Sequence, residues 1–398
     1  MRRANPPSRR EKPEAAKKIL LGGVFPAGDM VKAAELRYAV ESLRRVFPKA
    51  ELHIAGENGV PAYGFPGGVP VEQLRETIRQ YDAFGWIGTP VSGGELMPGA
   101  ELLEFASHHG VAAFVWGVGL ERGATAESGA ERGRGGVFSR LAKLAGLSFF
   151  RRFGERKQAR ARHCLEHGLR TCRFAAAADA PSLEELRRYQ RGVNGIAGAD
   201  SLLLATSAVL PSDEFLIREG RMAAVAFGGR EAIPPGTGAL LERMAEELKV
   251  RFLLVAESPE GRSRLEKLRS GMARADEVAR IGEFHSVEEL LGGLGCCDLV
   301  IGNSFPVILL GLNKLIPAIG VGCGRRAGEY LERFRLPHFA AAEPISERLV
   351  ARAGLLLEYG EEFQDAALPV REALLEELTA AERALSAALT GNRRRRRR

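Results

Sequence analysis

Residues 298–306, with the sequence DLVIGNSFP, form the segment whose binding chemistry is most readily predicted. The apolar run from Leu299 to Ile301 predicts a buried strand, and Gly302 permits a tight turn after it. Ser304 can then cap a helix whose first turn is fixed by Pro306. Because free backbone N–H groups and the positive end of the helix dipole meet at such a junction, the segment predicts a site for a phosphate or a carboxylate.

The cysteine and histidine residues do not have the spacing of a metal site. The five cysteines include no CxxC pair, and their odd number argues against a disulfide framework. His108 and His109 are neighbours in the sequence, so their side chains would project from a helix in different directions. We therefore expect neither a metal ion nor a cofactor.

The basic charge of the chain is concentrated in its two tails. The protein has 398 residues and a formal net charge of +7. Residues 393–398 are six arginines that contribute +6, and residues 1–18 contribute a further +5, so the body between them carries −4. Nucleic-acid binding is therefore not expected of the body. The arginine tail is typical of a solvated segment, and its functional alternative is electrostatic docking onto an anionic lipid, polysaccharide or nucleic acid.

The sequence pattern predicts neither a membrane span nor a secretion signal. The apolar residues 19–24 are too few for the core of a signal peptide, and they predict a first strand instead. We therefore expect a cytoplasmic protein, and peripheral contact with the inner membrane surface is an alternative that the basic segments leave open.

Strand and helix patterns alternate along the chain. This alternation predicts an α/β protein with two Rossmann-like domains, each built on a parallel sheet and facing the other across a cleft. The predicted N-terminal domain covers residues 19–213, and the predicted C-terminal domain covers residues 214–345. Helices in residues 346–390 are expected to pack across both domains. Basic tails are predicted at residues 1–18 and 391–398.

Residues 121–168 interrupt the alternation with a basic insertion in the N-terminal domain. Gly and Arg dominate its first part, and apolar residues mixed with basic residues follow. The segment is interpreted as a flexible loop followed by surface helices. The alternative is a basic lid that meets an anionic acceptor or a membrane face.

Several short motifs between residues 19 and 389 are similar to those of one known family. The helix start His285-Ser286-Val287-Glu288-Glu289-Leu290, followed by the strand at residues 298–302, matches best, and Pro26-Ala27-Gly28-Asp29 after the first strand also fits. This order resembles the polysaccharide pyruvyl transferase family, whose members use a two-domain fold like that of B-type glycosyltransferases. The resemblance implies transfer of a pyruvyl group from phosphoenolpyruvate to a sugar of a cell-envelope polysaccharide or to a lipid-linked saccharide precursor.

The resemblance also implies roles for individual residues. Phosphoenolpyruvate carries a phosphate and a carboxylate, so its site needs positive groups as well as oriented donors. Gly28 and Asp29 are expected on the acceptor side of the cleft. Asp29 and His285 are the candidates for the acid and the base that ketal formation needs. Binding of the anionic donor is assigned to residues at strand ends of the C-terminal domain, namely Arg230, Gly302, Asn303, Ser304 and Arg325.

Three motifs depart from the pattern of that family, and the first is Pro26, where the family has the Asn of an Asn-x-Gly-Asp turn. After the strand at residues 298–302 the family usually places Arg-x-His, whereas this chain has Asn303-Ser304-Phe305. An expected Arg-Asp pair before a helix is here Ala178-Asp179. These changes leave open a catalytically degenerate family member that acts as a binding or scaffold protein.

Residues 18–48 support a second resemblance, to the lipopolysaccharide heptosyltransferases, which are B-type glycosyltransferases that use a nucleotide sugar. A strand of the second domain in those enzymes also ends in Gly-Asn, as it does here at Gly302-Asn303. They continue with Asp-[Thr/Ser]-Gly-Pro, whereas this chain continues with Ser304-Phe305-Pro306. Glycosyl transfer from a nucleotide sugar is therefore the alternative to pyruvyl transfer.

Overall fold

A computed structural model describes most of the chain between residues 17 and 390. The described ranges are 17–23, 29–55, 68–69, 73–88, 96–120, 163, 165–209, 216, 220–228, 233–339 and 347–390. The predicted site residues Gly28 and Arg230, both tails and most of the basic insertion lie outside them. In the described residues the strands form two sheets whose neighbouring strands all run parallel, so the prediction of two Rossmann-like α/β domains is confirmed.

The N-terminal sheet has the strand order β3-β2-β1-β4-β5-β6-β7. Its strands are Lys18–Gly22 (β1), Glu51–Ala55 (β2), Gly68–Val69 (β3), Ala83–Ile87 (β4), Ala112–Val118 (β5), Phe174–Ala177 (β6) and Gly195–Ile196 (β7). The helices of this half are Met30–Val46 (α1), Leu74–Ile78 (α2), Leu96–His108 (α3) and Ala180–Tyr189 (α4), followed by a 3₁₀ helix at Ser201–Leu204.

The C-terminal sheet has the order β10-β9-β8-β11-β12-β13. Its strands are Arg221–Ala226 (β8), Val250–Val255 (β9), Ala279–Ile281 (β10), Leu299–Gly302 (β11), Ala318–Val321 (β12) and His338–Phe339 (β13). The helices are Thr237–Leu248 (α5), Pro259–Ser270 (α6), Ala275–Val278 (α7), Val287–Leu294 (α8), Phe305–Asn313 (α9), Arg325–Arg333 (α10), Glu347–Glu358 (α11) and Gly360–Thr390 (α12).

Both sheets reverse their strand order beside the first strand of the domain. β1 lies between β2 and β4, and β8 lies between β9 and β11. In open parallel sheets a ligand binds beyond the carboxyl ends of the strands at such a reversal. The residues after β1, β8 and β11 are therefore the ones that the fold places at a ligand site.

A continuous apolar core joins the two domains. It includes Leu36 and Leu43 of α1 in the N-terminal half, Leu309 of α9 in the C-terminal half, and Leu378 of α12, all of them almost completely buried. A fully buried leucine contributes about 1.5–3 kcal/mol, so this layer of helices between the sheets holds the domains together. A large apolar interface of this kind restrains free motion between domains.

The C-terminal helix α12 extends over both halves of the protein. Its Glu382 accepts a hydrogen bond from Ser42 Oγ of α1, and its Glu377 pairs with Arg333 of α10 at 2.6 Å. The sequence pattern predicts a helix from residue 370, whereas α12 begins at Gly360 and contains Pro369. None of the described helices is long and apolar enough to cross a membrane.

Gly302 ends β11 in a conformation that only glycine adopts readily. Its φ is +147°, and an added Cβ would lie 1.8 Å from the carbonyl oxygen of Ala226, its partner on β8. The backbone N–H groups of Asn303 and Ser304 both donate to that same oxygen, at 3.1 and 3.3 Å. The tight turn that the sequence predicts at Gly302 is therefore present, and it ties β11 to β8.

Replacing Gly302 with alanine should destabilise the protein by about 3 kcal/mol or more, because the new methyl group would push β8 and β11 apart. Thermal unfolding measures the loss. Gly220→Ala is the matched control, since Gly220 also has a positive φ of +112° but has no atom within 4 Å of the added Cβ. Equal losses from both variants would mean that backbone conformation, and not the contact with β8, makes Gly302 necessary.

Candidate functional site

The turn after β11 already uses most of its own hydrogen-bond donors. Ser304 is the N-cap of α9, and its side chain accepts from the N–H of Val307 at 3.3 Å. The N–H groups of Asn303 and Ser304 are bonded to Ala226, and Pro306 has no N–H to offer. An anion at this helix start would therefore compete with protein acceptors for its donors. Its binding there stays a prediction.

Asn303 joins the ends of two strands at the reversal of the C-terminal sheet. Its side-chain Oδ1 accepts a hydrogen bond from the backbone N–H of Gly228, at 2.9 Å. Gly228 follows β8, so this bond holds the β8 and β11 ends side by side. Asn303 thus has a structural contact in addition to the ligand contact that the sequence predicts for it.

Glu257, which follows β9, is a site residue that sequence reasoning missed. Ser304 Oγ donates a hydrogen bond to its carboxyl group. A Cβ on Gly228 would lie 3.1 Å from each carboxyl oxygen, so the group rests against the ends of β8 and β11. Its signal in the sequence is weak, because an acidic residue after a strand is common. The turn of the predicted anion site therefore carries a carboxyl group.

Burial, together with the nearby carboxylates of Asp29 and Glu35, raises the pKa of Glu257 to about 8. Lys32 acts in the opposite direction. Glu257 is therefore mostly protonated at neutral pH, and it can donate as well as accept a hydrogen bond.

The start of α1 supplies the charged groups of the N-terminal domain. Asp29 is the N-cap of this helix and accepts from the N–H of Lys32 at 2.9 Å. The Lys32 ammonium group pairs with Glu35 at 2.7 Å, and both side chains are about nine-tenths buried. Burial raises the pKa of Asp29, although its bond to the Lys32 backbone lowers it. Asp29 and Glu35 also raise the pKa of Glu257, so the start of α1 acts electrostatically on the strand ends of the C-terminal domain.

Arg326, in the first turn of α10, pairs with two carboxylates of the N-terminal domain. Its Nε lies 2.6 Å from Asp179 Oδ2, and its Nη2 donates to Asp200. Only 5% of Arg326 is exposed, and its guanidinium lies 4.0 Å from the centre of the Phe305 ring. Beside Asp200 is a cavity of about 20 Å³, roughly the space of one water molecule, with a wall that includes Glu35.

Arg325 and His285, two further predicted site residues, make their contacts at the starts of their own helices. Arg325 begins α10 and reaches Glu329 of the same helix at 3.5 Å, with its side chain partly exposed. His285 is exposed before α8. Ser286 caps the helix, and Glu289 accepts from the N–H of His285, whereas a capping box needs Glu289 to accept from the N–H of Ser286. His285 follows β10, the outermost strand, which is about 14 Å across the sheet from β11.

The structure thus brings Gly302, Asn303 and Ser304 together and places Asp29 on the facing edge. Among the described residues, no group of three or more His, Cys, Asp or Glu side chains is arranged to hold a metal ion.

No protein-family model matches the chain, and no curated protein sequence matches it. Solved structures do match. HepE of Anabaena in complex with UDP-glucose is 14% identical, with a TM-score of 0.58 over 94% of this chain and 100% of that one. The UDP-GlcNAc 2-epimerase of Neisseria meningitidis bound to UDP-GlcNAc is 10% identical, with a TM-score of 0.54 over 92% and 100%. A putative UDP-N-acetylglucosamine 2-epimerase of Listeria monocytogenes is 11% identical, with a TM-score of 0.56 over 89% and 91%. At these identities the similarity shows the two-domain fold.

The raised pKa of Glu257 predicts how stability depends on pH. The folded protein holds this proton more tightly than the unfolded chain does, so the stability that the proton provides is present below about pH 4.5 and is lost as the pH rises through about 8. Glu257→Gln has no charge to form, so its stability relative to the wild type should rise over this interval, by on the order of a few kcal/mol. Melting temperatures between pH 5 and pH 9 measure the effect.

The matched control for that series is Glu246→Gln, which removes an exposed carboxylate from α5. Its melting temperatures should follow those of the wild type. If Glu257→Gln also ran parallel to the wild type at every pH, the carboxyl group would not be buried and protonated in the way the structure indicates.

Proposed function

We propose that the protein is a transferase with the B-type glycosyltransferase fold that binds a nucleotide sugar in the cleft and transfers the sugar to a cell-envelope saccharide. The observation that carries this proposal is the facing arrangement of two strand-end edges, with Asp29 and Lys32 on one and Glu257 and Ser304 on the other. Two proteins of the same fold hold UDP-glucose and UDP-GlcNAc in their solved structures, and this supports a ligand of the same class.

Carboxyl groups at this edge suit the hydroxyl groups of a nucleotide sugar. Ribose and hexose hydroxyls donate hydrogen bonds, and acidic residues at strand ends accept them in dinucleotide-binding folds. Glu257 is placed to accept from the sugar or the ribose, because it lies at the strand-order reversal against Gly228. The diphosphate needs positive charge, and the partly exposed Arg325 at the start of α10 is the residue proposed to supply it.

Asp29 is the proposed base of the transfer step. Its pKa is raised by burial, which brings a carboxylate closer to the range in which it accepts a proton efficiently. In the step, the acceptor hydroxyl loses its proton to Asp29 while its oxygen forms a bond to the anomeric carbon. The bond from that carbon to the phosphate oxygen breaks, and the nucleoside diphosphate leaves with the electron pair.

Pyruvyl transfer from phosphoenolpyruvate is the second candidate, and the sequence motifs favour it. The helix start that carries the resemblance forms with Ser286 as its N-cap, and the helix leads into the strand β11. Phosphoenolpyruvate carries three negative charges, so its site would need several cations close together. Of the two arginines predicted to bind it, Arg325 is the one that the structure describes. A titration distinguishes the two candidates, because their donors share little chemistry.

Calorimetric titration with UDP, UDP-glucose, UDP-GlcNAc and phosphoenolpyruvate tests the proposal. The wild type should bind at least one of the UDP compounds and show no heat with phosphoenolpyruvate. Glu257→Ala should weaken binding of the UDP-sugar about tenfold or more, because alanine removes the hydrogen bond of the neutral carboxyl group to the ligand, which glutamine would preserve. Asp29→Asn should leave binding nearly unchanged, since asparagine is also a good helix N-cap and the role assigned to Asp29 is proton transfer.

Glu246→Gln, the exposed control on α5, should bind like the wild type. Heat with phosphoenolpyruvate alone would replace the proposal with pyruvyl transfer. An absence of heat with all four compounds would contradict both transferase functions and favour the binding or scaffold protein.

A further inference from the structure

A buried group of charges crosses the boundary between the two domains. We call it the clamp, and it consists of Asp179, Asp200 and Arg326. The side chains of all three are only 6% exposed. The two carboxylates belong to the N-terminal domain and the guanidinium belongs to the C-terminal domain, so the clamp contributes contacts only while the domains hold this orientation.

Each carboxylate of the clamp is also fixed within its own domain. Asp179 is the N-cap of α4 and accepts from the N–H of Ser182 through Oδ1 at 2.8 Å. Asp200 is the N-cap of the 3₁₀ helix and accepts from the N–H of Leu202 through Oδ1 at 3.0 Å. The second oxygen of each group, Oδ2, faces Arg326. The carboxylates of Asp179 and Asp200 are therefore held in place by their own domain, independently of Arg326.

The surroundings of Arg326 also leave it little freedom. A Cβ on Gly119 would lie 2.5 Å from its Nη1, so a side chain at this position after β5 would displace the guanidinium. Its guanidinium lies over the Phe305 ring, which also packs edge-on against Tyr330. Tyr330 in turn donates a hydrogen bond to the carbonyl of Ala178 across the domain boundary, at 3.5 Å.

Burial of these charges is costly, which makes stability a weak explanation for the clamp. Burial, together with the charges of Glu35 and Asp179, raises the pKa of Asp200 to about 6 even though Arg326 lowers it. Buried ion pairs can often be replaced by apolar groups without loss of stability. The apolar core between the domains already provides cohesion, but apolar contacts are not directional.

The clamp is connected to both edges of the candidate site. Phe305, under the guanidinium, directly follows Ser304, the residue that holds Glu257. Glu35, whose charge acts on both Asp200 and Arg326, lies on α1 and pairs with Lys32. A rotation of one domain that displaced Arg326 would therefore move the two edges relative to each other.

We propose that Arg326 is a positioning residue, and that its pairing with Asp179 and Asp200 sets the orientation of the two domains so that the edge with Glu257 and Ser304 faces the start of α1. The apolar core supplies the cohesion, and the clamp adds direction to it, together with the hydrogen bond from Asn313 to the carbonyl of Ala205 and the ion pair of Arg37 with Glu288. This role does not depend on the identity of the ligand or on the proposed function.

The test measures the distance between the domains in the full-length protein without any ligand. Fluorophores or spin labels are placed on unnatural residues at Lys49 and Lys267, which are exposed and lie in different domains. Arg326→Met should lower the melting temperature and at least double the width of the distance distribution. Arg326→Lys should fall between this variant and the wild type, because one ammonium group cannot reproduce the forked contact with two carboxylates.

The deciding variant combines Asp179→Asn, Asp200→Asn and Arg326→Met. It removes all three charges, and asparagine preserves both helix caps. Its melting temperature should return to within a few degrees of the wild type, while its distance distribution stays broad. A narrow, wild-type distribution in the triple variant, or in Arg326→Met, would overturn the proposal. Arg352→Met, at an exposed position on α11, is the control and should not change the distribution.

Discussion

Two parallel sheets that present their carboxyl ends to a shared cleft must bring the polar residues of many strand ends close together. Among the described residues near these strand ends, carboxylates outnumber cations. Asp29, Glu35 and Glu257 share the charge of Lys32, and Asp179 and Asp200 share the charge of Arg326. Burial adds to the imbalance, because it disfavours charged groups that lack a full set of partners. The raised pKa values at the cleft follow from the fold together with this shortage of cations.

The helix start after β11 illustrates why a sequence motif that predicts an anion site can also leave few hydrogen-bond donors for the anion. A cap residue such as Ser304 marks the helix start in the sequence, yet it does so by accepting one of the N–H bonds that an anion would need. The turn consumes two more N–H groups at Ala226, and Glu257 brings a carboxyl group to the same place. A ligand that offers hydroxyl groups to this edge fits those contacts better than a phosphate does.

Local patterns in the sequence predict the two parallel sheets and the helix starts at Asp29, Ser286 and Ser304, because each depends on residues within a few positions of one another. They do not predict β6, since Phe174–Ala177 is mostly alanine, which favours helices over strands. They also miss Glu257 and the clamp. Asp200 and Arg326 are 126 residues apart, and no local rule connects a helix cap with an arginine in another domain.

The clamp consists of charged groups because charged contacts depend on the orientation of the domains, whereas the hydrophobic contribution of the core does not. An apolar interface between domains tolerates small rotations at little cost, because its energy depends on buried area and not on angle. A guanidinium held between two capped carboxylates has one good geometry, and any other leaves buried charges unpaired at a cost of several kcal/mol. The ligand hydroxyls proposed for Glu257 and the proton transfer proposed for Asp29 both need atoms from opposite domains within hydrogen-bond distance. Chemistry in a cleft of this kind therefore depends on an orientation that burial alone does not define.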